Sequence, residues 1–224
     1  MRGIVTGASR GLGLALTRAL VERGWRLVVD ARDGDALDRA VGGLEGVVGL
    51  PGDVSDPEHR RRLVEAAGEP IDLLVNNASV LGPTPLPPLA DYPLGELRRV
   101  YEVNVVAPLA LAQLALPRLR TGARILNLTS DAAVEPYEGW GGYGSSKAAL
   151  AQLTAIIGAE HPGIRAYAVD PGDMRTQMQQ DAFQGEDISD RPPPEESVPG
   201  LLALIEGELP SGLYRARDLV RASA

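Results

Sequence analysis

Seven short apolar runs alternate with helix-length amphipathic segments along this 224-residue chain, and that rhythm restricts its fold more than any other feature. The runs lie at residues 3–6, 26–30, 47–50, 71–76, 123–128, 164–169 and, weakly, 212–215. Helical patterns fall between them at 11–23, 33–43, 57–67, 94–119, 143–161 and 198–207. Strands alternating with helices imply βαβ units and a parallel sheet covered by helices on both faces. Runs such as Leu27-Val28-Val29 and Leu73-Leu74-Val75 do not alternate in polarity, as strands buried on both faces require. The reading is one α/β domain over residues 1–224. Hydrophobic residues make up 44% of the chain and aromatic residues only 4%, so the core must be aliphatic.

Two stretches interrupt the rhythm. Residues 81–93 hold five prolines and read as an extended loop. Residues 177–200 are polar and contain Pro192-Pro193-Pro194, which reads either as a lid or as a disordered excursion. A substrate or lid loop is therefore expected at 173–200.

Bulk properties exclude several functions. A net charge of −8 offers no basic face for nucleic acid or an acidic membrane. The absence of cysteine removes disulfides, thiolate nucleophiles and Cys-based metal sites. His59 and His161 fall in polar helical contexts, so no metal site is expected. No run of 18 apolar residues is evident, and Met1 leads directly into a strand and turn. The expectation is a cytoplasmic chain.

Thr6-Gly7-Ala8-Ser9-Arg10-Gly11-Leu12-Gly13 joins the first strand to the first helix. Glycines at 7, 11 and 13 allow a tight turn, close backbone approach to phosphate, and packing of helix on strand. A pyrophosphate would rest on the amides at the helix N-terminus. After the second strand, a carboxylate would bind ribose hydroxyls and an arginine would accommodate a 2′-phosphate. The chain has Asp30-Ala31-Arg32 there, which is ambiguous; Arg10 supplies a second guanidinium and favours NADP over NAD.

Of 22 basic residues only Lys147 is lysine, four positions after Tyr143. That spacing puts both side chains on one helical face, close enough for the cation to lower the phenol's pKa. A tyrosine exchanging a proton near neutral pH is a general acid/base.

With these motifs in order, the chain resembles the short-chain dehydrogenase/reductase family in its single-domain branch, from Gly3 to about Thr176. Further matches are Asp53-Val54, Asn76-Asn77-Ala78, Asn104, Ser130 and Pro171-Gly172. The resemblance implies a Rossmann-type sheet of about seven strands in the order 3-2-1-4-5-6-7. It implies reduction of a ketone or aldehyde to an alcohol, or the reverse, with NADP, NAD being possible. Tyr143 would exchange the proton, Ser130 would hydrogen-bond the substrate oxygen, and Lys147 would hold the nicotinamide ribose. Asn104 would hold a relay water through its backbone, although it could equally be a kink residue upstream of Pro108. Gly7, Ser9, Arg10, Gly11, Leu12 and Gly13 would cradle the cofactor. Asp53 and Val54 would contact adenine, and Asn77 and Ala78 would line the adenosine side. Pro171, Gly172, Met174 and Thr176 would bound the nicotinamide. In family register the NAD-selecting acid corresponds to Ala31 and the NADP-selecting arginine to Arg32; Asp30 has no assigned role.

Ser79 departs from the family, which usually has glycine there. Expected pocket walls are Val80, Leu81, Asp131, Tyr137, Trp140, Met174, Met178 and Phe183, with acids at 131, 135, 138 and 173. They suit a neutral, moderately apolar carbonyl compound and disfavour a polyanion. A homodimer through the fourth and fifth helices or a homotetramer is expected. A catalytically silent dinucleotide-binding regulator is the rival from another class. A sugar-nucleotide epimerase would need a different glycine spacing and a larger C-terminal domain.

Overall fold

The structure, a computed structural model, describes residues 1–221; the last three positions of the expected 1–224 domain lie outside the described residues. The strands are β1 (Arg2–Val5), β2 (Arg26–Ala31), β3 (Val47–Pro51), β4 (Ile71–Asn76), β5 (Leu119–Leu128), β6 (Arg165–Asp170) and β7 (Gly212–Arg215). They form one parallel sheet in the order β3-β2-β1-β4-β5-β6-β7, the Rossmann arrangement expected from the sequence.

Within each strand, neighbouring side chains go to opposite faces. Val5, Leu27, Val29, Leu73, Val75, Leu126 and Tyr167 pack with α1 (Gly11–Val21), α2 (Gly34–Val41) and the helix Val198–Glu206. Ile4, Val28, Leu74, Ile125 and Ala166 pack against α3 (Pro57–Ala67) and the later helices on the other side. Both sides are aliphatic, which explains why the strands read as unbroken apolar runs.

The helical pattern at 94–119 is the main departure. It is α4 (Leu94–Tyr101), a π turn (Glu102–Val106) and α5 (Ala107–Ala115), followed by a tight 3-10 turn before β5. Pro108 has no N–H to donate to the carbonyl of Asn104, and the Ala107 N–H bonds five residues back to the Glu102 carbonyl. Asn104 thus lies within a π turn, four residues before Pro108. By length and composition, Leu94–Arg118 is also apolar enough to cross a bilayer, a property not expected from the sequence. Half of its apolar stretch is buried inside the fold, so that apolarity serves the core.

Helix α6 (Gly141–Glu160) begins two residues earlier than the pattern at 143–161. The polar stretch after β6 is partly organised: α7 (Gln177–Ala182), a buried Ile188, and a 3-10 turn (Pro194–Ser197) leading into α8 (Val198–Glu206). A short α9 (Ala216–Arg221) closes the described chain.

Candidate active site

The strand order reverses between β1 and β4, and the loops leaving these strands diverge to open a cleft. They are latched at their base. The Asn77 and Ala78 amides donate to Thr6 Oγ1, both at 3.0 Å, and Asn77 Nδ2 donates to the carbonyls of Thr6 (2.8 Å) and Gly7 (3.1 Å). The Asn77 amide nitrogen is thus spent on holding the glycine turn.

In that turn Gly7 and Gly11 have φ of +70° and +58°, a conformation that penalises side chains. At Gly13 a Cβ would collide with the Gly7 carbonyl. Helix α1 starts at Gly11 with no side-chain cap and no acid in its first turn, which leaves its amides free for an anion.

Asp30 now has a role. Its carboxylate is 1% exposed; Oδ1 accepts from the Gly7 N–H at 2.7 Å, and Oδ2 lies 2.9 Å from His59 Nε2. His59 is fully buried, which corrects its reading as a polar helical residue. The pair turns the carboxylate at the end of β2 inward, and a Cβ on Gly52 would strike the His59 ring. Pairing between β2 and α3 is long-range, and no sequence signal marked it.

The cleft, about 1200 Å³, is lined by Gly7, Ser9, Arg10, Gly11, Leu12, Arg32, Asp53, Val54, Asn77, Ala78, Tyr143, Lys147, Pro171, Met174 and Thr176. Of the proposed cofactor residues only Gly13 and Gly172 are not on its wall: Gly13 packs behind the turn, and Gly172 lines the next cavity. Arg99 also lines the cleft and was missed in the sequence, where it reads as one more charge on an amphipathic helix. Burial alone would raise the Asp53 carboxyl. Bonds from the Ser55 amide and hydroxyl, with Arg32 and Arg99 nearby, hold it below the usual carboxylate range.

A second cavity of about 490 Å³ adjoins the first. Thr129, Tyr143, Pro171, Met174, Thr176 and Met178 belong to both walls, so the two spaces meet beside Tyr143. Ser130, Asp131, Tyr137, Trp140 and Phe183 line the second cavity as expected, and the acids there are Asp131, Glu138, Asp170 and Asp173. Val80 and Leu81 line the larger cleft instead, and Glu135 is on neither wall. Tyr143 is 8% exposed, and Trp140 meets its ring edge-on at 5.7 Å.

Lys147, 2% exposed, donates to the Leu128 carbonyl at 2.8 Å and sits 5.4 Å from the Tyr143 ring centroid. The effect on the phenol differs from the sequence expectation. Burial pushes Tyr143 well above the ordinary phenol range, and the Asp170 and Asp131 charges add to this; the Ser79 and Ser130 hydroxyls pull it back. Desolvation pushes the Lys147 ammonium down to about 7. Burial sets the direction of both shifts.

Asn104 is fully buried off the cleft wall. Its Nδ2 donates to the Val80 carbonyl (2.9 Å) and to Ser146 Oγ (3.0 Å), while its Oδ1 accepts from the Val80 amide (2.9 Å) and Ser79 Oγ (3.1 Å). Neither serine was assigned a role from the sequence. Among the described residues, no cluster of His, Asp and Glu could hold a metal ion.

The cleft fits a dinucleotide: an uncapped helix start, a strained glycine turn and arginines at the far end. Residues 3–187 match the family model of short chain dehydrogenases. The chain belongs to this family. It is an NAD(P)-dependent oxidoreductase. It is similar to benzil reductase ((S)-benzoin forming) of Saccharomyces cerevisiae, 31% identical over 80% of this chain and 73% of that one. It is also similar to an NADPH-dependent aldehyde reductase-like chloroplastic protein of Arabidopsis thaliana, 30% identical over 97% of this chain and 83% of that one. Among solved structures, the KRED1-Pglu enzyme superposes with a TM-score of 0.86 at 33% identity, covering 95% of this chain and 98% of the other.

Proposed function

We propose that this dehydrogenase interconverts a ketone or aldehyde and its alcohol with NADP(H), Tyr143 exchanging the proton. The observation that carries the reading is the junction at Tyr143: a dinucleotide-sized cleft on one side and a smaller, aromatic-walled cavity on the other. The nicotinamide supplies or takes the hydride, since no protein side chain can. Ser130 donates to the substrate oxygen and stabilises the charge building there. A phenol held above its ordinary range stays protonated, which suits a donor to a carbonyl. Lys147 faces the ribose beside Tyr143, and Pro171, Gly172, Met174 and Thr176 bound the nicotinamide end.

Arg10 and Arg32 bind the 2′-phosphate, and the Asp30 carboxylate at the cleft wall is engaged by the Gly7 amide and His59. Trp140, Phe183 and Met178 favour an apolar carbonyl substrate. Asp131, Asp170 and Asp173 disfavour an anionic one. Residues 173–200 act as the substrate flap: Thr176 caps α7 with its methyl beside Gly11, and the Arg175 amide donates to the Pro192 carbonyl at 2.8 Å. The presence of Ser130, Tyr143 and Lys147 around one junction argues against a silent regulator.

The test is a ketone and aldehyde panel followed by loss of NADPH absorbance. Tyr143→Phe should cut turnover by roughly 10²–10⁴-fold, the usual worth of a positioned acid, while still binding NADPH. Equal turnover in the variant would refute the role, and equal use of NADH would refute the phosphate preference.

A further inference from the structure

We propose that Ser79 belongs to the acid/base machinery: its hydroxyl donates to Asn104 Oδ1 while Tyr143 carries its proton, and swings to the Tyr143 oxygen once that proton has left. The idea rests on the carbonyl chemistry proposed above. It begins from a circuit of three side chains and one backbone carbonyl. Ser79 Oγ donates to Asn104 Oδ1 at 3.1 Å, Asn104 Nδ2 donates to Ser146 Oγ at 3.0 Å, and Ser146 Oγ donates to the backbone carbonyl of Tyr143 at 2.6 Å. The circuit leaves the β4 loop, crosses the π turn and returns to α6 at Tyr143 itself. Ser79 and Tyr143 line the same cleft.

Two members of this circuit have no freedom. Both Asn104 amide hydrogens are used, one on the Val80 carbonyl and one on Ser146. The Ser146 hydroxyl is fully buried and its hydrogen goes to the Tyr143 carbonyl. Ser79 is different, because its acceptor has a second donor: the Val80 amide bonds the same Asn104 oxygen at 2.9 Å. When the Ser79 hydroxyl rotates away, that oxygen stays satisfied, so the rotation orphans no buried group. The hydroxyl is then available to a phenolate, an acceptor that draws stronger hydrogen bonds than a neutral amide.

The proton inventory is simple. In reduction the hydride adds to the carbonyl carbon, the Tyr143 O–H bond breaks and its proton goes to the oxygen of that carbonyl. The electron pair stays on the phenolate, Ser79 keeps its own proton and only reorients, and solvent later restores the phenol. Burial raises this phenol, and the Ser79 hydroxyl works against it.

The experiment is the pH dependence of kcat/KM for alcohol oxidation with NADP, on the best alcohol from the panel. Oxidation needs the phenolate, so activity rises with pH through the Tyr143 midpoint. Ser79→Ala and Ser79→Gly should each move that midpoint up by about one pH unit, the scale of a lost hydrogen bond to an ionised group. Ser79→Thr, which keeps the hydroxyl, should return it to the parental value. Midpoints unmoved in both the alanine and glycine variants overturn the proposal, as does a threonine variant that titrates with the alanine one. A parent enzyme with no NADP-dependent turnover of any alcohol or ketone overturns the carbonyl chemistry itself, and Ser79's role with it. An active enzyme with an unmoved midpoint overturns only Ser79.

Discussion

At the scale of single residues, the candidate site consists of polar groups forced into low dielectric. Lys147 shows the cost. Its ammonium titrates near 7 in the folded chain against 10.5 for the ordinary group. Below pH 7 both states hold the proton and burial of the charge opposes folding in full. Between 7 and 10.5 the unfolded chain binds more protons, so the penalty shrinks as pH rises. Lys147→Met has no such group. The stability of the parent relative to this variant should therefore climb from pH 7 towards pH 10, by at most about 1.4 kcal/mol per unit. Urea titrations of both proteins across that range check it, and a flat difference contradicts the assigned shift. Tyr143 and Lys147 were legible because their spacing is local to one helix. Ser79, Ser146 and the Asp30–His59 pair were not, because each depends on contacts between elements distant in sequence.

At the scale of elements, the strands matched their apolar runs closely, since burial on both faces leaves an unbroken hydrophobic signature. The pattern at 94–119 failed to show its π turn because hydrophobic periodicity does not register a missing hydrogen-bond donor. Pro108 was the available signal, and it fits that turn. The pairing of β2 with α3 through Asp30 and His59 sets the glycine turn. His59→Leu leaves a buried carboxylate oxygen without its hydrogen-bond partner, a lesion of roughly 1–3 kcal/mol. It should lower the melting temperature and also weaken NADPH binding by roughly tenfold, about 1.4 kcal/mol, as the Gly7 anchor loosens. His59→Gln, which keeps a side-chain N–H, should recover part of both. Fluorescence titration with NADPH decides the matter: an affinity unchanged in the leucine variant would limit the pair to a structural role.

For the whole molecule, the consequence of this architecture is a cleft already open at the strand-order reversal, with arginines at one end and Tyr143 at the other. A ligand that binds only the folded chain stabilises it by mass action. NADPH at about a hundred times its dissociation constant should add about 2.7 kcal/mol. For a chain of this size that is a rise of roughly 5–10 °C in melting temperature. NADH at the same concentration should give a smaller shift, and replacing Arg10 and Arg32 together by alanine should bring the two cofactors level. A thermal-shift comparison tests both statements. By itself the sequence determined the sheet, its alternation with helices, the glycine turn and the Tyr-Lys pair, because each is written in local spacing and hydrophobic period. Only the tertiary structure decided which way Asp30 faces, that His59 is buried against it, that Ser79 and Asn104 close a circuit onto Tyr143, and that burial lifts the phenol rather than lowering it. Those outcomes depend on desolvation and on contacts across the fold, and both arise only when remote segments meet.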